Sequence, residues 1–341
     1  FKEITLILLD KLELCWKILN KIAIFGSTGH IGKSLISFLA NDKNCDLILF
    51  SRNSKKSEML DNLFPESSLV IEEYDKFESD EYDVIINCIG ITNPVDITKY
   101  YSKILEVGEF YDDKIINFLK KSPSTLYINM SSGAVYDTKF DSPVDDKTST
   151  ILDINHNNSV HYYALSKINS ETKHRLNSEL NIIDLRIFNF FSKYIELNSG
   201  FFLSELINAI NNNMKFVTND VDFVRDYINP YDFFSLIKNC IQTNNINDTF
   251  DVYSKEPISK SRILEEMSNK FNLEVEITDE DAFSSPTGFK KNYYSFSRKA
   301  AKISYKPKYS SLETILSEAE VLLKKKLWRE WCFDHCFTFH Y

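Results

Sequence analysis

The sequence predicts an α/β fold built on a doubly wound parallel sheet, with a smaller mixed lobe toward the C-terminus. Three observations carry that reading. Apolar runs alternate with amphipathic helical patterns from Lys21 to about Lys173, the signature of successive βαβ units with right-handed crossovers. A glycine-rich turn joins the first apolar run to the first helix. Beyond Asn189 the alternation breaks into mixed elements, and no internal repeat or low-complexity linker separates the two parts.

The first strand is Ile22-Ala23-Ile24-Phe25, and the first helix carries Leu35, Ile36, Phe38 and Leu39 at helical spacing. Between them lies Gly26-Ser27-Thr28-Gly29-His30-Ile31-Gly32. Gly26 permits the tight turn, Gly29 lets the backbone approach a pyrophosphate, and Gly32 lets helix and strand pack closely. The helix N-terminus adds oriented N–H groups facing the anion. A Rossmann-type sheet holding a dinucleotide is therefore expected, with Gly26, Thr28, Gly29, His30, Ile31 and Gly32 around its phosphates. Because any tight strand-to-helix turn resembles this one, the following elements carry the decision.

The second strand, Cys45-Asp46-Leu47-Ile48-Leu49-Phe50-Ser51-Arg52, ends without an acid and runs into Asn53, Ser54, Lys55 and Lys56. An acid there would accept hydrogen bonds from the adenosine ribose of NAD, whereas an arginine suits the 2′-phosphate of NADP. Arg52 thus makes NADP the preferred cofactor and NAD the alternative, although solvated loop charges would look the same.

Further along, the apolar strand Leu126-Tyr127-Ile128-Asn129-Met130 leads into Ser131-Ser132-Gly133-Ala134-Val135-Tyr136. It delivers hydroxyls to the C-terminal edge of the sheet, where doubly wound folds bind ligands. A polar stretch from Asp137 to Asn158 reads as a loop placed to cover a substrate. It precedes Tyr163-Ala164-Leu165-Ser166-Lys167, whose tyrosine and lysine share one helix face. An ammonium there can lower a phenol from its usual pKa of about 10 toward the range of a working acid/base.

On these motifs the chain resembles the short-chain dehydrogenase/reductases, in the extended branch of nucleotide-sugar epimerases, dehydratases and reductases. The Gly-x-x-Gly-x-x-Gly spacing is that family's form. The resemblance makes Tyr163 the general acid/base, Lys167 its pKa-lowering partner and ribose ligand, and Ser132 the hydroxyl on the substrate oxygen. Ser132 is preferred to Ser131 because the family's Ser or Thr lies three residues before a Val-Tyr pair, here Val135-Tyr136. Tyr162 lacks the spacing to Lys167.

Val84-Ile85-Ile86-Asn87-Cys88-Ile89-Gly90 looks like the fourth strand and its exit, which puts Asn87, Cys88, Ile89 and Gly90 beside the cofactor. Ile183-Asp184-Leu185-Arg186-Ile187-Phe188-Asn189 resembles the strand whose asparagine, Asn189, approaches the substrate diphosphate. The segment Arg225-Asp226-Tyr227-Ile228-Asn229-Pro230-Tyr231-Asp232 is similar to one whose arginine, Arg225, holds that diphosphate. A guanidinium fork matches phosphate oxygens; the alternative is a surface ion pair of Arg225 with Asp222 or Asp226.

Composition bounds these expectations. The chain has 341 residues, 43% of them hydrophobic, enough for a sizeable core, and its net charge of -9 argues against nonspecific nucleic-acid binding. Six cysteines, Cys15, Cys45, Cys88, Cys240, Cys332 and Cys336, form no secreted disulfide pattern, so a reduced cytoplasmic setting is expected. Some family members use a cysteine as base, but Cys88 reads as core packing. Residues 1–20 are apolar but interrupted by Lys2, Glu3, Asp10, Lys11, Glu13 and Lys17, which suits neither a signal peptide nor a membrane span. They form an extension ahead of the family's usual start. In the tail from 324 to 341, Cys332, His335, Cys336 and His340 follow no common zinc spacing, so no metal is expected.

The expected organisation is a dinucleotide-binding domain over 21–189, its sheet completed by about 249–253, and a mainly substrate-binding lobe over 190–323. Helices are read near Phe202 to Asn211, Tyr231 to Cys240, Ser259 to Phe271 and Ser311 to Leu323, with Ser259 and Ser311 as N-caps.

The expected activity is hydride transfer at a sugar ring carbon of a nucleotide-diphosphate sugar. A 4-ketoreductase comes first, and a 4-epimerase with tightly bound NAD is the alternative. Gly133-Ala134 stands where the family's dehydratases carry an Asp-Glu pair, which argues against dehydration. A noncatalytic NADP-binding regulatory protein is the alternative of another class, and retention of Ser132, Tyr163 and Lys167 together weighs against it. The resemblance also implies a homodimer formed through a four-helix bundle that includes the Tyr163 helix.

Overall fold

The computed structural model describes residues 20–336, apart from 53, 66, 68, 137–139, 153–154, 156–158, 244 and 279–288. Side chains at 54–57, 159–160 and 325–336 are likewise outside the description. The N-terminal extension and the cysteine/histidine tail chemistry therefore lie outside the described residues.

Six strands follow one another as β1 (Asn20–Phe25), β2 (Cys45–Ser51), β3 (Val70–Glu73), β4 (Val84–Asn87), β5 (Leu126–Ser132) and β6 (Ile182–Ile187). Asn247–Val252 returns to complete a seven-stranded sheet in the spatial order β3, β2, β1, β4, β5, β6, Asn247–Val252. Every pairing in it is parallel. The order reverses between β1 and β4, and that reversal is where a doubly wound sheet opens a crevice at its strand C-termini. Register puts Phe25 beside Asn87, Asn87 beside Asn129, and Ser132 beside Ile187, so the strand ends form one edge.

Alternation along the strands explains why both faces are covered. Ile22, Ile24, Leu47, Leu49, Ile86 and Ile128 enter one apolar cluster, while Ala23, Phe25, Ile48, Phe50, Ile85 and Tyr127 enter another on the opposite face. Packed on the first face is the helix Pro230–Ile241, through Phe233, Leu236 and Ile237. The second face includes Ile115, Ile116 and Leu119 of the helix Ile104–Leu119. A separate core gathers Leu203, Leu206, Ile207, Phe216, Ile263, Met267 and Ile315 from the helices Phe202–Asn211, Lys260–Phe271 and Ser311–Cys336 and from the strand Phe216–Thr218.

Two helix boundaries differ from the sequence expectation. The last helix continues to Cys336 instead of stopping at Leu323, and no Gly or Pro interrupts that stretch. Its cap is Ser310, not Ser311. Ser310 Oγ accepts the Glu313 N–H at 3.2 Å and the Glu313 carboxylate accepts the Ser310 N–H at 2.8 Å, a reciprocal capping box. Ser311 instead accepts the Tyr227 N–H at 2.8 Å and donates to Asp226 at 3.2 Å. Ser259 caps as expected, accepting from the Arg262 N–H.

The polar stretch before the Tyr163 helix is anchored where it is described. Phe140 and Val144 are buried, and Val144 bridges Ser295 in parallel, with Val144 N–H donating to the Tyr294 carbonyl at 3.1 Å. Its apolar residues, spaced among the polar ones, fasten it to the segment around Asn292–Tyr293.

Candidate active site

Gly26 begins the turn after β1 with φ +72°, and a Cβ there would lie 2.8 Å from the Cys88 backbone carbon, so only glycine fits. A Cβ on Gly32 would meet the Gly26 carbonyl oxygen at 2.5 Å, which is the close helix approach anticipated from the spacing. Two hydroxyls brace the turn: Ser27 donates to the Phe50 carbonyl at 2.9 Å, and the Tyr74 hydroxyl accepts the Gly26 N–H at 3.1 Å. The helix His30–Leu39 then starts from Gly29, with no side chain bonded across its first turn. Its amide donors and dipole suit an anion, so these residues fit a dinucleotide pyrophosphate.

The other residues anticipated around a cofactor divide into two groups. Arg52 is exposed at the end of β2, and Thr28 and Ile31 are half-buried at the turn. His30 turns away, its Nε2 2.8 Å from Ser192 Oγ and its ring against Phe190. Burial pushes its pKa down to about 3, so the ring is neutral and ties the turn to the chain beyond β6. Asn87 is engaged at both polar ends: it donates to the Tyr127 hydroxyl at 2.9 Å and accepts the Ile89 N–H at 3.0 Å. The side chain thereby shapes the Cys88-Ile89-Gly90 exit from beneath. The Cys88 thiol is pushed up to about 12 by burial, against the nearby Lys167 ammonium, and is therefore a neutral thiol near pH 7.

Beyond that exit, β5 and the helix Ser159–Leu176 bring Ser132, Tyr163 and Lys167 together. Ser132 lies beside the Tyr163 phenol, close enough to favour its ionised form. Tyr162 stacks on Tyr101 instead, with ring centroids 6.2 Å apart. Lys167 is buried and its Nζ donates to the Met130 carbonyl at 2.7 Å. A Cβ on Gly90 would lie 3.7 Å from that Nζ, which places the ammonium under the β4 exit.

Burial pushes the Tyr163 phenol upward, and the neighbouring Ser132 side chain opposes that rise. The lysine is committed to a backbone carbonyl on β5. Burial pulls its own pKa down, against Asp112, Asp184 and Glu171.

Tyr293 is a site residue that sequence reasoning missed. Its hydroxyl lies 3.1 Å from Ser132 Oγ, and its ring sits against Phe140 and Phe188 at 4.8 and 5.1 Å. It reaches Ser132 through the two-residue strand Asn292–Tyr293, which pairs with Val224–Arg225, a contact that no local pattern announces.

In the Arg225 to Asp232 segment, all but one of the charges serve the fold. The Asp226 carboxylate accepts the Ser254 N–H and the Ser311 hydroxyl, and the Asp232 carboxylate accepts the Lys308 and Tyr309 N–H groups at 2.9 Å. Asn229 caps the helix that starts at Pro230. Arg225 is half-buried, donates to the Val224 carbonyl at 2.9 Å, and stacks 4.2 Å from the Phe223 ring centroid. Among the described residues it forms no ion pair with Asp222, Asp226 or any other carboxylate, and burial pushes it down to about 10. Asn189 lies alongside, its amide 3.4 Å from the Asp226 carbonyl.

Residues 22–254 match the model of the NAD dependent epimerase/dehydratase family. The chain belongs to this family. Among curated proteins none matches the sequence. Solved structures of family type share its fold. A UDP-N-acetylglucosamine 4-epimerase from Methanobrevibacter ruminantium is 20% identical with a TM-score of 0.76, covering 90% of this chain and 99% of its own. A UDP-glucuronic acid 4-epimerase from Bacillus cereus, solved as a Tyr-to-Phe mutant with NAD and a substrate analogue, is 16% identical with a TM-score of 0.74, over 89% and 99% of the chains. A dTDP-glucose 4,6-dehydratase from Bacillus anthracis, solved with NAD, is 13% identical with a TM-score of 0.72, over 90% and 97%. At these identities the likeness is one of fold. Among the described residues no helix is long and apolar enough to cross a membrane.

Proposed function

We propose that this epimerase/dehydratase family member transfers a hydride at a ring carbon of a nucleotide-diphosphate sugar, most naturally as an NADP-preferring 4-ketoreductase. The observation that carries the reading is the convergence of Ser132, Tyr163 and Lys167 beside a glycine turn fitted to a dinucleotide. When bound, NAD(P)H supplies the hydride to the keto carbon. Tyr163 gives its phenolic proton to the oxygen of that carbon, Ser132 donates a hydrogen bond to the same oxygen, and the two together form the alcohol. Lys167, whose Nζ donates to the Met130 carbonyl, would hold the ribose. Arg225, without a carboxylate among the described residues, is available to the diphosphate.

Reduction is favoured by Arg52, which is exposed at the end of β2 where an NAD-selective site would carry an acid. Dehydration is disfavoured because a Cβ at Gly133 would lie 2.4 Å from the Phe188 ring, leaving no room for an added carboxylate. The second reading is a 4-epimerase retaining NAD, favoured by the 4-epimerases among the similar structures. Denaturing extraction followed by mass identification of released nucleotide separates them. Empty protein that then binds NADPH before NAD and reduces a 4-keto nucleotide sugar supports reduction. Tightly held NAD, with sugar turnover and no net NADPH consumption, supports epimerisation, and binding of neither cofactor defeats both.

A further inference from the structure

We propose that Tyr293 is a positioning residue that sets the direction in which the Ser132 hydroxyl donates its proton. The inference rests on the reading of Ser132 and Tyr163 above and adds a third hydroxyl to them. A serine hydroxyl has one proton to give and two lone pairs to fill. Ser132 Oγ accepts the Ala134 N–H at 3.2 Å, which uses one lone pair. The Tyr293 hydroxyl, 3.1 Å away, fills the other when it donates. With both lone pairs occupied, the single Ser132 proton is left to point at the Tyr163 oxygen or at the substrate oxygen that would lie beside it. Chains of hydroxyls polarise in one direction, so each bond strengthens the next.

The environment of Tyr293 favours this polarity. Its ring is fixed by Phe140 and Phe188, so the hydroxyl cannot swing away. Two cations lie over the ring, Arg225 at 5.9 Å and Lys290 at 5.3 Å. Tyr163 is faced by Ser132 and Tyr293, while one turn along its helix Lys167 lies near the Cys88 thiol. The acids Asp112, Asp184 and Glu171 lie toward Lys167. The Tyr293 phenol is itself pushed far up by burial and stays a protonated donor across the working range.

Tyr293→Phe keeps the ring and its packing and removes the donor. It is expected to lower kcat about tenfold with little change in KM, and to move the limb of the pH profile that reports the Tyr163 phenolate to higher pH. In a Ser132→Ala background the same substitution should change neither quantity, because the route to Tyr163 is already cut. Equal losses in both backgrounds, or a change confined to KM, would overturn the proposal. A substrate-free cycle separates this outcome from failure of the proposed activity. With tyrosine labelled at Cζ and the Tyr163 resonance assigned by Tyr163→Phe, Tyr293→Phe should shift that resonance when Ser132 is present and leave it in place when Ser132 is alanine. The same shift in both backgrounds, or none in either, contradicts it.

Discussion

Arg186 and Arg225 are both drawn out of bulk water near the C-terminal edge of the sheet, yet their surroundings are opposite. The Arg186 side chain is gripped by the Glu171 carboxylate at 2.5 and 3.0 Å, lies 3.9 Å from Asp251 and stacks on Tyr136 at 4.8 Å, and those partners push it above the usual arginine range despite burial. Around Arg225 are aromatic rings and carbonyls, and among the described residues no carboxylate answers its charge. A buried cation with its counter-ion supplied by the fold belongs to the fold, whereas one that no described carboxylate answers fits the anion-binding role proposed above.

The same contrast runs along the helix Ser159–Leu176. Near its C-terminus, His174 is fully buried between Asp112 at 2.8 Å and Asp184 at 2.9 Å, with Tyr127, Asn129 and Arg175 completing the network. Toward its N-terminus, Tyr163 faces the Ser132 and Tyr293 side chains, with no ion pair among the described residues.

The largest effect expected is on the open side. Tyr163→Phe should lower turnover by about 10³-fold while the protein still binds cofactor, measured by steady-state rates and fluorescence titration. Retained turnover would move the acid/base elsewhere. Next, the two arginines should exchange no symptoms. Arg225→Met should cut kcat/KM for the nucleotide sugar by about 100-fold and leave the melting temperature nearly unchanged, whereas Arg186→Met should cost about 3 kcal/mol of stability by stranding Glu171. If Arg225→Met proves the more destabilising of the two, the comparison breaks.

His174 sharpens the structural side through pH. Burial would lower its pKa, but Asp184 and Asp112 outweigh it and hold the ring up to about 9, above its ordinary 6.5. The ring is therefore charged in the fold, and its contribution is complete below pH 6.5 and lost as pH rises through about 9. Urea unfolding should show stability falling across that window, and His174→Gln should flatten the slope. The smallest effect expected is at Arg52, where Arg52→Asp should weaken NADP about tenfold and NAD hardly at all. Equal weakening of both would remove the argument for NADP.

These contrasts also mark what the chain displays locally. The sheet, the Gly26 turn and the Tyr163 helix are legible because each rests on short-range periodicity and spacing. Arg225 is legible as a motif, but that no described carboxylate pairs with it is not, since Asp226 stands next to it in sequence and is taken by Ser254 and Ser311 in space. Tyr293 is hidden for the same reason: a long-range strand pairing delivers it to Ser132. The bond of Lys167 to the Met130 carbonyl depends on how helix and strand pack, so spacing alone does not show it.

The most direct measurement of the central claim is isotope transfer from NADPH deuterated at nicotinamide carbon 4, on the transferring face, to a 4-keto nucleotide sugar, read by mass and by the position of the label. The account predicts one deuterium at sugar carbon 4 in each product molecule, with labelled product formed about 10³-fold more slowly by Tyr163→Phe. Cofactor binding without any label in the sugar would contradict it.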